Sequence, residues 1–171
     1  MIGLQKNSVD LCLINSDIYR AFYEDELEIL TNILDGYFVS IEHVGSTAIP
    51  GIMAKPIIDI AVGLIDSESF DLITSILEKH GYIYLANRGE ITRRIFIKTC
   101  DNIRTHHIHV EEYGKQNWIN HVEFRNKLLS STHLKKEYET LKIELSKKYA
   151  TNREKYTSEK SEFIQKVLYS K

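Results

Sequence analysis

The sequence is poor in the residues that mark secreted, zinc-finger or membrane proteins. Its 171 residues include only two cysteines, Cys12 and Cys100, whose spacing fits neither a disulfide framework nor a metal motif. No apolar run approaches the length of a membrane-spanning helix, and the N-terminus lacks the layout of a signal peptide. We therefore expect a cytoplasmic protein with no membrane partner.

An excess of charge of one sign is also missing. The chain has 22 Lys and Arg against 24 Asp and Glu, for a formal net charge of -2. Without an overall basic field, nucleic acid is not an expected partner. Only two prolines and no low-complexity stretch are present, so no linker is visible, and the length suits a single domain.

One stretch combines a glycine turn with a charge in an apolar run. Residues 37–44 are rich in β-branched and aromatic residues and stop at Gly45, which predicts a strand and a turn. Residues 57–64 form a nearly unbroken apolar strand, interrupted by Asp59. A carboxylate there is costly unless it is paired or metal-bound. Successive backbone amides and a hydroxyl at Gly45–Ser46 can cradle an anion, so the stretch predicts a phosphate and metal site.

The rest of the chain predicts an α+β fold. The predicted elements are an edge strand or extended lead-in at 9–14, a helix from Ser16 or Asp17 to about Leu34, a helix from Asp66 or Ser67 to His80, strands at 82–86, 91–98 and 104–111, and helices thereafter. The last two strands are predicted to form a hairpin across residues 99–102. This order predicts a mixed β-sheet flanked by helices at about 16–112, then C-terminal helices at about 115–170, in one domain covering 1–171.

Histidines and cations supply further candidate site residues. The strand at 104–111 places His107, His109 and Glu111 on one face, which is not the composition of a dry core. Two helical stripes, Trp118–Val122–Arg125–Leu129 and Tyr156–Lys160–Ile164–Val167, carry a cation among apolar residues. Arg125 and Lys160 are predicted either to reach a cleft or to pair with helix acids.

Several strings resemble the signature of the GrpB family, also called the UPF0157 proteins. They are EHVGSTAIPG at 42–51, KPIIDI at 55–60, THHIHV at 105–110, FRNKL at 124–128, REKY at 153–156 and then Lys160. The family is assigned to the nucleotidyltransferase fold superfamily, and the resemblance covers nearly the whole chain. It implies a nucleotidyltransferase-like sheet with a nucleoside triphosphate and Mg²⁺ at the first motif.

The resemblance carries over to individual positions. Gly45 and Ser46 match the phosphate-holding turn and Asp59 matches the first acid of an Asp-x-Asp pair, whereas the second acid is replaced by Ala61. This departure leaves open whether the protein is an enzyme. The residues predicted to bind the nucleotide are His43, Gly45, Ser46, Thr47, Lys55, Arg125 and Lys160. His43 has the alternative of a core histidine, and Lys55 that of a solvated lysine.

Three functions stay open on this sequence. The first is transfer of a nucleotidyl or phosphoryl group from a nucleoside triphosphate to a small-molecule acceptor. The second is an inactive module that binds a nucleotide or another metabolite. The third is a metallohydrolase, because Asp59, His107 and His109 together offer a catalytic set that suits Mn²⁺ or Zn²⁺ better than Mg²⁺.

Overall fold

The computed structural model describes residues 2–5, 9–86 and 92–169. In chain order its elements are β1 (Cys12–Leu13), α1 (Ser16–Ile33), β2 (Phe38–Val44), a 3₁₀ turn (Ser46–Ala48), β3 (Met53–Ala54), β4 (Ile58–Leu64), α2 (Phe70–Lys79), β5 (Ile83–Tyr84), β6 (Arg93–Cys100), β7 (Ile103–Glu112), α3 (Gln116–Ser130), α4 (Thr132–Lys148), α5 (Arg153–Ser158) and α6 (Ser161–Tyr169). No helix among the described residues is both long enough and apolar enough to cross a membrane.

A five-stranded mixed sheet organises the chain in the order β2-β4-β7-β6-β5. Strands β4 and β7 are parallel, and the other neighbouring pairs are antiparallel. Strands β1 and β3 form a separate two-stranded antiparallel sheet. The predicted α+β architecture, a mixed sheet flanked by helices, is confirmed.

The main hydrophobic core lies on the sheet face covered by α1 and α2. Alternate β4 residues, including Ile58 and Ile60, are fully buried on this face. They pack in one cluster with Leu30 of α1 and with Ile73 and Leu77 of α2. The helical spacing of these apolar residues therefore fixes which face of the sheet the two helices cover.

The opposite face of β4 carries Asp59, Ala61 and Gly63, and the C-terminal helices cover it. A Cβ atom at Gly63 would lie 3.0 Å from the ring of Trp118, so the missing side chain allows α3 to approach the sheet closely. Next to these three residues, in parallel register on β7, lie His107, His109 and Glu111. The polar face of the histidine strand thus points toward the C-terminal helices and away from the main core.

The described residues of the C-terminal third form four helices, which pack around a second hydrophobic cluster together with Ile49 and Ile52. Phe124 and Leu128 of α3 pack in one cluster with Tyr138 of α4 and Val167 of α6. Leu129, which was predicted to continue the inward stripe of α3, is 47% exposed and faces away from this core.

Element boundaries differ from the sequence predictions where side chains cap helices. Helix α1 is capped by Asn15, whose Oδ1 accepts from the backbone amides of Asp17 and Ile18, and not by Ser16 or Asp17 as predicted. Helix α2 begins at Phe70, later than predicted, because Asp66 caps the preceding turn by accepting from Ser69.

Strand boundaries shift by a few residues as well. The predicted lead-in at 9–14 contains only the short strand β1, and the predicted strand at 82–86 shortens to Ile83–Tyr84. The predicted strand at 91–98 becomes Arg93–Cys100, and its first residue lies outside the described residues. Its hairpin turn is tighter than predicted, because Asp101 and Asn102 both adopt positive φ angles, as a two-residue turn requires.

Candidate functional site

A cleft of about 660 Å³ separates the polar face of the sheet from the C-terminal helices. Asp59, His107 and His109 form its floor, and Gly45–Ser46 lies at the end of the neighbouring strand. Lys55, Arg153 and Lys160 also line the cleft, together with the ring of Tyr156; we call these four residues the basic wall. The structure therefore brings together seven of the residues predicted from the sequence, including Lys160.

Gly45 packs directly against the carboxylate of Asp59. Because β2 and β4 are antiparallel and Val44 pairs with Asp59, the turn after β2 meets the beginning of β4. Gly45 has a φ of 69°, and a Cβ atom there would lie 2.5 Å from Oδ2 of Asp59. Both the backbone conformation and the close approach require glycine at this position.

The Asp59 carboxylate is held by neighbouring imidazoles. His107, its register partner on β7, has Nδ1 3.0 Å from Oδ1 of Asp59, and Nε2 of His109 lies 3.8 Å from the same oxygen. Burial alone would raise the pKa of Asp59, but the contacts with His107 and His109 outweigh it and hold the pKa well below its usual value. Asp59 is therefore a carboxylate at neutral pH.

Hydrogen bonding assigns His107 as a neutral imidazole. Its Nε2 lies 3.2 Å from Nη2 of Arg153 and 3.4 Å from Nη1 of Arg104. Guanidinium groups only donate, so Nε2 accepts and Nδ1–H donates to Asp59. Burial, as the largest cause, lowers the pKa of His107 to about 4, which agrees with the neutral form.

The basic wall concentrates positive charge around one buried ring. The ammonium groups of Lys55 and Lys160 lie 5.0 and 4.6 Å from the ring centroid of Tyr156, which is 1% exposed. Burial, and then the charges of Lys160 and Arg153, lower the pKa of Lys55 well below its usual value, and Asp59 acts in the opposite direction. The wall is therefore suited to an anionic ligand.

A second polar cluster lies further along the same face and includes a residue that sequence reasoning missed. His109, Glu111 and His121 of α3 each offer a ligand atom within 4.8 Å of the others. His121 lies three residues after Trp118 and four before Arg125, so its place on the inward stripe of α3 was the available signal. Arg153 and Tyr156 were also missed as site residues, although the REKY string contains both.

His43 and Thr47 were predicted to bind the nucleotide, but the structure places them outside the cleft lining. The Thr47 hydroxyl donates to the backbone carbonyl of Ile57 at 3.1 Å, so its oxygen accepts from Nε2–H of His43 at 3.0 Å. The His43 ring stacks on Tyr23 with a centroid distance of 4.8 Å. Both side chains therefore support the glycine turn from outside the cleft.

Arg125 also departs from its predicted position. Its Nη1 donates to Oε2 of Glu42 at 2.8 Å and to the backbone carbonyl of His43 at 2.7 Å, and it does not line the cleft. Arg125 was predicted to face the cleft, and this prediction is wrong. Arg125 instead forms an ion pair that joins α3 to the end of β2. The alternative prediction, an ion pair with a helix acid, is right about the ion pair, but the acid lies on strand β2 and not on a helix.

The donor atoms around Asp59 do not fit the two-magnesium arrangement of nucleotidyltransferases. Ala61, at the position of the second acid, is fully buried and has His109 as its register partner. Mg²⁺ is bound through oxygen, and two ions need several carboxylates, whereas the neighbours of Asp59 on this face are imidazoles. The site therefore does not provide the ligands that a pair of magnesium ions needs.

These features define a class of protein: a mixed-sheet α+β domain whose glycine turn, single strand carboxylate and histidine strand meet at a basic cleft. The family model described as "GrpB protein" matches residues 12–170. The chain belongs to the GrpB family.

Individual relatives agree with this membership. The glutamate-rich protein GrpB of Alkalihalophilus pseudofirmus is 37% identical over 98% of each chain. The UPF0157 protein YqkA of Bacillus subtilis is 32% identical over 93% of this chain, which spans only 46% of YqkA. The crystal structure of the conserved protein GrpB from Enterococcus faecalis superposes with a TM-score of 0.83 at 32% identity, covering 92% of this chain and 94% of that one.

Proposed function

We propose that the cleft binds a phosphorylated ligand of the nucleoside triphosphate class, with its phosphates against the basic wall. The observation that carries the proposal is the position of Lys55 and Lys160 on one Tyr156 ring, beside Arg153. Like charges held this close oppose each other, and the oxygens of a phosphate chain would compensate them.

The rest of the cleft suits such a ligand. The Gly45–Ser46 turn offers backbone amides and a hydroxyl for phosphate oxygens. Leu85, Ile95 and Phe124 supply apolar surface in the same cleft, on which a base or another flat group could pack. A ligand with an anionic end and an apolar end therefore matches the lining.

Binding is the part of the predicted function that this geometry supports best. Transfer of a nucleotidyl group to a small-molecule acceptor would be a further activity, and the absence of a second acid at Ala61 argues against the two-metal form of it. One divalent cation shared between Asp59 and the phosphates remains part of the proposal. Product formation from a nucleoside triphosphate in the presence of candidate acceptors tests transfer separately.

The first test measures binding of a non-hydrolysable ATP analogue and of inorganic triphosphate by calorimetry. Lys160→Ala should weaken both by about tenfold or more, because a charge-assisted contact contributes on the order of 1.5–3 kcal/mol. The matched control is Lys166→Ala on α6, the helix that begins directly after Lys160; its side chain is 63% exposed and does not line the cleft. Equal affinities of the two variants would contradict the proposal.

The second test uses Asp59→Asn with and without Mg²⁺ or Mn²⁺. Without metal, loss of the negative charge should increase the affinity for triphosphate. With metal, the variant should not show the increase in triphosphate affinity that the ion gives the wild type. The side-chain oxygen of the introduced asparagine can still accept from Nδ1–H of His107, so the cost in stability should stay below the roughly 3–5 kcal/mol expected for breaking a buried ion pair. Weaker binding without metal would contradict the assigned position of the phosphates.

One observation favours a second candidate, the metallohydrolase predicted from the histidine strand. Asp59, His107 and His109 offer ligand atoms within 4.8 Å of one another. Against it, the two guanidinium groups on Nε2 of His107 place positive charge beside this cluster. Stoichiometric zinc or manganese after purification, together with hydrolytic turnover, would be needed to establish this function.

A further inference from the structure

We propose that His109, Glu111 and His121 form a binding site for a first-row transition-metal ion, with zinc as the best-matched ion. The site lies beside the floor of the cleft and shares His109 with the cluster predicted from the sequence. The proposal has its own geometry and does not depend on phosphate binding.

Strand β7 and helix α3 build this site from opposite sides. His109 and Glu111 are two residues apart on β7 and therefore share one face. His121 approaches from α3, with its ring centroid 4.6 Å from that of His109 and its Nε2 3.2 Å from Oε1 of Glu111. The ligand atoms of the three side chains lie within 4.8 Å of one another, so small side-chain movements would bring them to a common ion.

The buried carboxyl group of Glu111 is the strongest indication that this cluster binds a cation. Glu111 has no exposed surface. Although Nε2 of His121 lies 3.2 Å from Oε1, neither oxygen accepts a hydrogen bond of suitable geometry from any residue that the structure describes. Nδ1 of His109 is likewise buried without a hydrogen-bond partner in that set. Buried polar atoms in this situation are costly unless an ion, water or ligand meets them.

The chemistry of the donors selects the kind of ion. Two imidazoles and one carboxylate form a mixed nitrogen and oxygen set, which suits zinc and related ions and is a poor match for magnesium. Three protein ligands leave a fourth position open. Because His109 and His121 both line the cleft, this position is accessible to a molecule in the cleft.

The charges nearby favour this cluster over the one around Asp59. His107 there accepts from the guanidinium groups of Arg104 and Arg153, so an ion bound through His107 would sit next to two fixed positive charges. Arg93 is the register partner of Glu111 on β6 and is the cation closest in register to the proposed site. Because a positive charge on Arg93 would also compensate the negative charge of Glu111, the experiment must measure metal binding itself.

Zinc binding to the untagged full chain, stripped with a chelator, tests the proposal. The wild type should bind one Zn²⁺ per chain in a competition titration with a chromophoric chelator. His121→Ala and Glu111→Gln should each weaken binding by more than about 100-fold, since removing a direct ligand should exceed the roughly 10–100-fold effect of a residue behind one. His133→Ala is the matched control, because its imidazole lies on α4 and its side chain is 83% exposed.

Three results would overturn the proposal. The first is a wild-type chain that binds no Zn²⁺, and the second is a His121→Ala affinity equal to that of His133→Ala. The third is a larger loss for Asp59→Asn than for His121→Ala, which would assign the ion to the other cluster. If Glu111→Gln does not fold, as circular dichroism would show, His121→Ala carries the test because that side chain is partly exposed.

Discussion

Acidification should destabilise this protein through His43, well before its carboxylates are protonated. The His43 ring is stacked on Tyr23 and donates through Nε2–H to Thr47, an arrangement that fits a neutral imidazole. Burial, as the largest cause, lowers the pKa of His43 to about 4 from 6.5. Below pH 6.5 the unfolded chain therefore binds a proton that the folded chain does not.

The size of the effect follows from the two pKa values. They differ by about 2.5 pH units, and each unit corresponds to about 1.4 kcal/mol, so the full effect is about 3–4 kcal/mol. The free energy of unfolding should fall as the pH decreases from 6.5 toward 4, because the unfolded state takes up more protons in this range. His107, with its pKa also lowered to about 4 by burial, adds a similar amount.

Urea unfolding at pH 7, 6, 5 and 4.5 measures this dependence. His43→Gln keeps an N–H donor for Thr47 and cannot be protonated, so its free energy of unfolding should depend less steeply on pH than that of the wild type. The variant also loses the stack on Tyr23, so the slope with pH is the informative quantity rather than the absolute value. His133→Gln, at an exposed position, serves as the control and should keep the wild-type slope.

Equal losses of the free energy of unfolding between pH 6.5 and 4.5 in His43→Gln and in the wild type would contradict this prediction. That result would mean that His43 binds its proton equally well in the folded and unfolded chain. It would also remove the basis for treating the His43–Thr47 pair as a fixed support of the glycine turn.

Two further predictions concern the glycine turn and a buried lysine. Gly45→Ala should lower the free energy of unfolding by more than about 2 kcal/mol in urea melts, because a positive φ is combined with a clash against Asp59. Gly51→Ala is the control and should lower it by only about 1 kcal/mol, because Gly51 has a φ of 74° but open space around its Cβ position. Burial lowers the pKa of Lys142 to about 7 from 10.5, so wild-type stability should rise with pH between these values. Lys142→Met should make that rise smaller and leave the contribution of Lys55, whose pKa burial also lowers; a variant that keeps the full wild-type rise would contradict the assignment.

Local patterns were sufficient to predict much of the fold. Alternation in the histidine strand placed His107, His109 and Glu111 on one face, and the apolar run of β4 predicted a strand covered on both sides. Capping was harder to predict, because Asn15, Ser16 and Asp17 are all good N-cap residues and the sequence does not rank them.

The floor of the cleft was predictable because its residues belong to neighbouring strands. Asp59 follows a glycine turn in sequence, and the histidine strand had an evident polar face. The register that makes Asp59 the neighbour of His107 could not be deduced, since parallel pairing depends on contacts 48 residues apart.

Helix orientation accounts for most of the remaining errors. Arg125 and Lys160 have the same sequence signature, a cation within an apolar stripe, yet only Lys160 lines the cleft. The difference arises from Glu42, which lies within reach of α3 and pairs with Arg125. Such a choice of partner depends on how the helix is rotated over the sheet, and periodicity alone does not determine it.

Ala61 has a consequence for redesign of this protein. It has no exposed surface, lies beside His109 in the sheet and packs in one cluster with Val44 and Trp118, so a second carboxylate would have to displace neighbouring side chains. Installing an acid at position 61 alone would therefore crowd the imidazole rather than create a two-carboxylate centre. Converting this cleft to nucleotidyltransferase chemistry would require simultaneous substitutions at positions 61 and 109 at least. Because Glu111 and His121 contact or adjoin His109, the same design would also have to keep or replace them.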